Sequence, residues 1–414
     1  MHPYGQTELF DSVLDSFLEA DTPLSINSIY SKVADKLNLD EKVTQSKEPV
    51  GKSGIKHNLF HRKVRWVIQS LREQNIVTNV KRGMWDIHKE KKIELTAITP
   101  EENVIAASTD MGIVLWTRNR SIFGSKTGGI DTFHAMITSP PYPLKSKRAY
   151  GNPDVDQYVD FICDAIEPIL PKLADGGSIC LNVSNDIFMS KSPARSTYWM
   201  KLCIALEERL SLHYMDDLLW TSNKIPGPTM WCCRTKQQLK HGYEHCLWFT
   251  NNPAKCFSDN RRVLQPNTKA HQKFVDKGGI KQNSINGDGA YVKNIGDFSN
   301  PQLTGTIPYN HIYVPNHCNE SRAVKKHAQE LGLPPHSAKM PLSLASFLVK
   351  FLTRPGDLVV DLFGGTLTTG QASQNNGRHF VILEMMLEYI VQGFHRFRNE
   401  SSTWINPKLF ANCS

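Results

Sequence analysis

Thr138-Ser139-Pro140-Pro141-Tyr142 follows directly on the apolar run Ala135-Met136-Ile137, and residues of these types in this order can clamp a flat, neutral ring. The apolar run is of strand type. Two successive prolines cannot continue a sheet ladder, because each lacks an N–H and has a fixed φ. The spacing therefore predicts a strand that stops at a rigid lip. On such a lip Tyr142 can stack on the face of a bound ring, while the Ser139 hydroxyl and backbone carbonyls reach its edge. Ser-Pro-Pro turns also occur in ordinary loops, so the pentapeptide alone leaves a plain turn open.

A second constellation stands far downstream. Asp357-Leu-Val-Val-Asp-Leu-Phe363 is an apolar run of strand length, followed by Gly364-Gly365-Thr366-Leu367-Thr368-Thr369-Gly370. A near-continuous hydrophobic run is the pattern of a buried parallel strand, and a glycine turn after it lets backbone approach a ligand. A helix is expected from near Thr368 to a C-cap at Gly377. The strand His379-Phe380-Val381-Ile382-Leu383 then ends in Glu384. An acidic residue at the end of the second strand is where nucleotide-binding α/β folds hydrogen-bond ribose hydroxyls. The turn lacks the second glycine of the strict dinucleotide pattern, which argues against NAD and suits an adenosyl group. Alone, this segment leaves a generic βαβ unit open; with the lip, both point to one reaction.

The chain has 414 residues, which gives a prior of two to three domains, and 40% hydrophobic with 21% charged residues is ordinary for a globular protein. A net charge of +8 permits a polyanionic partner. No run of 18 apolar residues occurs and Met1-His2-Pro3-Tyr4-Gly5 does not open a signal peptide, so a cytoplasmic protein without a membrane partner is expected. Nine cysteines occur without a Cys-x-x-Cys pair, which supports neither a zinc ribbon nor a redox motif, and no metal is expected. The absence of a Pro-Cys dipeptide removes the nucleophile of carbon-5 cytosine methylation.

Residues 1–92 read as a separate domain. Leu9, Phe10, Val13, Leu14, Phe17 and Leu18 form one helical face, and Ile26, Ile29, Val33 and Leu37 form a second behind the cap Ser25. Val64, Val67, Ile68 and Leu71 mark a third helix, and Lys81-Arg82-Gly83 separates two short β-runs. Three helices closed by a basic hairpin describe a winged helix-turn-helix. Residues 1–41 carry eight acidic side chains, whereas 42–65 carry seven basic ones against Glu48. A solvated basic face and a protein-docking surface are the competing readings. The concentration on the third helix and its approach favours DNA contact through Arg65, Lys81 and Arg82.

The rest divides into a linker and first strand region (93–130), one half of an α/β domain (131–250), a polar stretch (251–330) and a second half (331–414). Lys145, Lys147 and Arg148 sit in a basic loop after the lip and suit a phosphate backbone. Residues 251–330 hold eleven Lys and Arg, six acids and eleven asparagines. They could form a long surface loop, but asparagine and arginine pair bidentately with base edges, and a target-recognition insert is the better reading.

With these segments in hand, the stretch from about 105 to 400 resembles the cytosine-N4-specific DNA methyltransferases of restriction–modification systems. The matching segments are Ile137-Thr-Ser-Pro-Pro-Tyr142, Lys147-Arg-Ala-Tyr-Gly-Asn152, Ala174-Asp-Gly-Gly-Ser178, His336-Ser-Ala-Lys-Met-Pro341 and Asp361-Leu-Phe-Gly-Gly-Thr366. About residues 6–90 resemble the N-terminal winged helix of some restriction-system proteins. The resemblance implies an α/β, Rossmann-like fold that uses S-adenosylmethionine, with circularly permuted motif order because the catalytic motif comes first. It implies that Ser139, Pro140, Pro141 and Tyr142 hold the target amine. Phe363, Gly364, Gly365, Thr366, Thr368 and Thr369 would contact the cofactor, Glu384 its ribose, and Lys339 and Pro341 its methionine end. Double-stranded DNA and a cognate restriction endonuclease would be the partners. Two departures stand out: Leu367 replaces a glycine of the turn, and Asn182, with Asp186 four residues on, stands where some relatives carry an aspartate.

In such a pocket the chemistry is positional. An exocyclic amine is a poor nucleophile because its lone pair is delocalised into the ring, and acceptors that draw its N–H bonds localise that pair. An adenine-N6 enzyme of the same fold, an RNA methyltransferase and a DNA-binding regulator with an inactive methyltransferase domain remain as alternatives.

Overall fold

The structure, a computed structural model, describes residues 6–20, 22–49, 56–73, 76–81, 83–87, 103–117, 121–123, 130–143, 153–190, 192–223, 230–279, 282–286, 291–295, 305–316, 318–336 and 339–410. The N-terminal unit runs α1 (Gln6–Leu18), β1 (Leu24–Ser25), α2 (Ile26–Lys36), α3 (Glu41–Thr44), β2 (Lys47–Pro49), β3 (Lys56–Asn58), α4 (Leu59–Glu73), β4 (Val77–Lys81) and β5 (Met84–Ile87). Its core joins the periodic positions of the three long helices, with Val13, Phe17, Ile29, Val33, Val64, Val67 and Leu71 buried together. Ser25 caps α2 by accepting from the Ser28 N–H at 3.0 Å. Strands β1, β5 and β4 form a small sheet, and the hairpin β2–β3 and short α3 add structure between α2 and α4 that helical periodicity did not reveal.

The second unit is built on one ten-stranded sheet. Along the chain come β6 (Val104–Thr109), β7 (Gly112–Trp116), β8 (Phe133–Thr138), α5 (Tyr158–Ile166), β9 (Leu173–Val183), α6 (Tyr198–Leu210), β10 (His213–Thr221) and β11 (Tyr243–Thr250). Next are α7 (Lys269–Asp276), β12 (Gln282–Asn286), β13 (Tyr291–Ile295), β14 (His311–Tyr313), α8 (Asn319–Glu330) and α9 (Leu342–Leu352). The chain closes with β15 (Leu358–Asp361), α10 (Thr368–Asn375), β16 (His379–Glu384), α11 (Leu387–Phe394), β17 (Trp404–Ile405) and α12 (Pro407–Phe410). In space the order is β14-β10-β11-β9-β8-β15-β16-β7-β6-β17.

That order positions the site. β15 lies parallel between β8 and β16, with Val359 opposite Ala135 and Phe380, and β9 lies parallel on the far side of β8. The ends of β8, β9, β15 and β16 therefore share one edge of the sheet. In α/β sheets a ligand crevice forms at that edge, where neighbouring crossovers leave in opposite directions. Here β8 leads through α5 to β9, and β15 leads through α10 to β16. Helices cover both faces: α5 and α6 pack Tyr158, Ile162, Leu202 and Leu206 on Met136, Leu181 and Val360. On the other face Leu344, Leu348 and Ala372 meet Ala135, Ile137 and Val359. Farther along it, Leu367, Ile390 and Phe394 meet Phe380 and Ile382.

Three segments are built in ways their local sequence does not announce. Residues 104–116 form two strands of the sheet, β7 pairing in parallel with β16, rather than a linker with one strand. Asp175-Gly176-Gly177, a glycine pair of the kind that ends helices, lies inside β9, where Gly176 takes φ +90° and a Cβ would stand 2.0 Å from the Lys255 carbonyl oxygen. Residues 251–330 are not one insert: β14 extends the main sheet beside β10, and α8 packs on α11. The hairpin β12–β13 is a separate two-stranded sheet.

Candidate active site

Ser139 follows β8 as the first residue of the proline lip. Its Oγ lies 3.2 Å from Asn182 Oδ1 and 3.3 Å from the Tyr142 hydroxyl. Tyr142 in turn lies 3.0 Å from Asn182 Oδ1 and donates to Glu244 Oε2 at 2.8 Å. Asn182 is held from behind, its Nδ2 donating to the His245 carbonyl at 3.1 Å, which turns its oxygen toward the lip. Ser139 and the Tyr142 ring are half-buried, whereas Asn182 and Glu244 are buried. Burial pushes the Tyr142 phenol well above its ordinary pKa, and the Glu244 carboxylate adds to the effect. The phenol therefore stays a hydrogen-bond donor at neutral pH.

Asn182, flagged by sequence only as a departure, thus stands inside this cluster. Asp186 does not: its carboxylate pairs with Arg195 at 2.9 Å. Glu244 was missed as a site residue. The available signal was an acid at the second position of β11, where the six residues after it are all buried, since a buried charge is costly unless partnered.

The glycine turn lies next to the lip. Asp361, at the end of β15, accepts from Thr138 Oγ1 at 2.5 Å and from the Phe363 N–H at 3.0 Å, and Thr369 also bonds it. Gly364 packs so closely that a Cβ would meet Ile382 Cγ2 at 2.1 Å. Gly365 takes φ +49°, and a Cβ there would rest 3.8 Å from the His336 ring, an ordinary contact. Glu384 receives the Gly365 N–H at 2.6 Å and the Met386 N–H at 2.8 Å, one on each oxygen. Burial raises its pKa to about 7 against these two bonds and a third from the Met385 N–H, with Asp361 adding repulsion.

Leu367 answers the question raised by the missing glycine. It holds φ +61° and ψ 29°, the left-handed conformation glycine would take, as the N-cap of α10. Left-handed backbone costs an ordinary residue about 1–2 kcal/mol, and full burial of a leucine returns about 1.5–3 kcal/mol. Gly393 makes the room, since a Cβ there would stand 2.5 Å from Leu367 Cγ. Arg396, a second residue that sequence reading missed, donates from Nε to the Thr366 carbonyl at 2.5 Å and from NH1 to Gln371 Oε1 at 2.8 Å. It braces the turn from below; the Thr366 hydroxyl is buried without a partner.

The remaining expected residues are dispersed. Pro341 is the N-cap of α9, and Lys339 donates to the Ser321 carbonyl at 3.4 Å, its pKa pushed down to about 8 by burial with help from Arg396. Arg65 and Lys81 are exposed on α4 and β4 of the N-terminal unit. Lys145, Lys147, Arg148 and Arg82 lie outside the described residues. Among the described residues no helix is long and apolar enough to cross a membrane, and no cluster of three or more His, Cys, Asp or Glu could hold a metal.

Comparison with known proteins agrees with this geometry. The family described as DNA methylase matches residues 133–394, and the Mrr N-terminal domain matches residues 7–92. The type II methyltransferase M.PvuII of Proteus hauseri is 28% identical over 271 residues, which cover 64% of this chain and 78% of that protein. The DNA adenine methyltransferase YhdJ of Escherichia coli (strain K12) is 34% identical over 89 residues, covering 22% of this chain and 30% of that protein. The solved structure of PvuII DNA methyltransferase (cytosine-N4-specific) superposes with a TM-score of 0.53 at 24% identity, over 71% of this chain and 89% of that one, and so shares the fold. With its lip, glycine turn and buried acid gathered on one sheet edge, and with the family match spanning that whole framework, the chain belongs to the DNA methylase family.

Proposed function

We propose that this DNA methyltransferase transfers a methyl group from S-adenosylmethionine to the exocyclic N4 of cytosine in duplex DNA. The observation that carries the reading is the parallel placement of β8 beside β15, which brings Ser139, Tyr142 and Asn182 to the same edge as Gly364, Gly365 and Glu384. Serine at the head of the lip is a short acceptor suited to a pyrimidine amine, and the likeness to M.PvuII supports the same product.

The residues of the glycine turn fit an adenosyl cofactor. Backbone N–H groups of Gly365, Met385 and Met386 bond the Glu384 carboxylate, whose four acceptor sites leave one for a ribose hydroxyl, and Gly365 puts no side chain between the turn and a ligand. When bound, the cofactor supplies a methyl group already activated on a sulfonium. The work left to the protein is to orient the amine. Ser139 Oγ and Asn182 Oδ1 accept its N–H bonds, and the Tyr142 ring covers the flipped base, offsetting the few kcal/mol of unstacking. Phe363, Thr366, Thr368 and Thr369 line the cofactor side, with Lys339 and Pro341 toward the methionine end.

The N-terminal unit is proposed to grip the duplex. Arg62, Arg65, Trp66, Gln69 and Arg72 are exposed on α4 at the spacing of one helical stripe, and Lys81 is exposed on β4. The type II likeness supports modification of a site shared with a restriction endonuclease. Nucleoside mass spectrometry of DNA from cells expressing the chain tests the product: N4-methylcytosine that disappears with Ser139→Ala is expected, and N6-methyladenine overturns the cytosine assignment.

A further inference from the structure

Transfer of a methyl group to an amine leaves a proton to be removed, and Asn182 cannot take it. An amide oxygen accepts hydrogen bonds but is not basic enough to hold a proton at neutral pH. Ser139 and Tyr142 are weaker acids than water-borne buffers and act only as carriers. The carboxylate in hydrogen-bond contact with this cluster is Glu244, whose Oε2 is 2.8 Å from the Tyr142 hydroxyl. We propose that Glu244 is the terminal proton acceptor of methyl transfer, reached through Ser139 and Tyr142. The proposal rests on the reading of the lip as the amine pocket.

The path is short and continuous. Ser139 Oγ is 3.3 Å from the Tyr142 hydroxyl, which is 2.8 Å from Glu244 Oε2. As the amine lone pair forms its new bond to carbon, the methyl–sulfur bond breaks with its electrons left on sulfur. One amine N–H bond then breaks with its electrons left on nitrogen. That proton passes to Ser139 Oγ, the Ser139 proton passes to the Tyr142 oxygen, and the Tyr142 proton passes to Glu244, whose carboxylate becomes a neutral acid. Each carrier gives one proton and receives one, and the net change is one proton moved from nitrogen to Glu244. Departure of the product opens the half-exposed Ser139 to water, and the proton returns outward by the same atoms.

The heavy-atom geometry serves both protonation states. With Glu244 ionised, Tyr142 donates to it and Ser139 can donate to Tyr142, leaving Asn182 Oδ1 free for the second amine N–H. With Glu244 neutral, it donates to Tyr142 and Tyr142 donates to Asn182 Oδ1 at 3.0 Å. Neither state requires a side chain to move. Glu244 is 7% exposed in a strand whose same-face neighbours, Cys246 and Trp248, belong to the apolar core.

Single-turnover methyl transfer to saturating duplex DNA reads the relay directly. Glu244→Gln keeps the hydrogen bond from Tyr142 but cannot accept a proton, and is expected to slow the step about 100-fold. Cofactor affinity and thermal unfolding should stay near wild type. Tyr142→Phe keeps the stacking ring and should lose a similar factor. The double variant should be no slower than the slower single one, because both cut one path, and the solvent deuterium isotope effect should vanish in each. Glu244→Asp should recover part of the rate; it and Tyr142→Phe carry the test if Glu244→Gln does not fold. A wild-type rate in Glu244→Gln, or losses that multiply in the double variant, overturns the relay. Ser139→Ala separates the two ideas: if it transfers methyl at the wild-type rate, the amine-pocket reading itself fails. If Ser139→Ala is inactive while Glu244→Gln is normal, only the relay fails.

Discussion

Thr138 and Asp361 stand 223 residues apart in the chain and share a 2.5 Å hydrogen bond, with Thr138 Oγ1 as the donor. Thr138 immediately precedes the lip, and Asp361 also receives the Phe363 N–H at the start of the glycine turn. One buried carboxylate thus fixes the lip against the turn, which is the distance a transferred methyl must cross.

Thr138→Val removes that donor with little change of shape. Leaving one lone pair of a buried carboxylate unserved costs about 1–3 kcal/mol, to be read as a lowered urea midpoint. Single-turnover transfer is expected to fall as well, while cofactor affinity, which depends on the intact turn, changes less.

Glu384 makes cofactor binding depend on pH. Its pKa in the free protein is about 7, raised from 4.5 by burial, and ribose hydroxyls donate to the ionised form. Affinity for S-adenosylmethionine should therefore rise from pH 6 to 8 and then level off. Stability of the free protein moves the other way: the group's contribution is full below pH 4.5 and is lost as pH rises through about 7, by about 3 kcal/mol in all. Calorimetry across this range should give a flat profile for Glu384→Gln, and Glu384→Ala should weaken binding by about 1–3 kcal/mol.

At Leu367 the usual ranking of substitutions inverts. Alanine loses the buried side chain and keeps the left-handed penalty, whereas glycine loses the side chain and escapes the penalty. Leu367→Gly should be more stable than Leu367→Ala by about 1 kcal/mol, although glycine elsewhere in a helix is the worse residue. Chemical denaturation of the two variants decides the order.

The stripe on α4 predicts a salt effect. If Arg62 and Arg65 each neutralise one phosphate, the double alanine variant should bind duplex DNA with a log–log salt slope shallower by about 2. An unchanged slope would assign the stripe to solvent or to a protein.

How far the molecule is legible before folding follows from where each signal resides. The lip and the glycine turn are local: prolines, glycines and apolar runs carry them within a few residues. The helices of the N-terminal unit are equally local, since Val64, Val67, Ile68 and Leu71 repeat at helical spacing. Glu244 and Arg396 are not, because each acts through partners more than a hundred or twenty residues away. Residues 311–313 were unreadable as a strand for another reason: β14 has three residues, two of them exposed, so its place beside β10 depends on the finished sheet. The role of Gly176 is not local either: its glycine serves a close approach to Lys255, nearly eighty residues away.

The strand order also governs how the molecule is made. Among the described residues the strands of the N-terminal unit pair only with one another, and the unit can close while the ribosome is still working. The central sheet cannot. β8 leaves the ribosome with the side that will receive β15 unpaired, and β15 follows 223 residues later by the span from Thr138 to Asp361. At about 5–20 residues per second that is a wait of about 10–45 s. During it β7 also lacks β16, so two strand edges that end up buried stand open at once, the condition under which chains associate with one another. The permuted order therefore places a kinetic hazard on every newly made copy, and its yield in the cell should fall when translation is slowed and rise when holding chaperones are abundant.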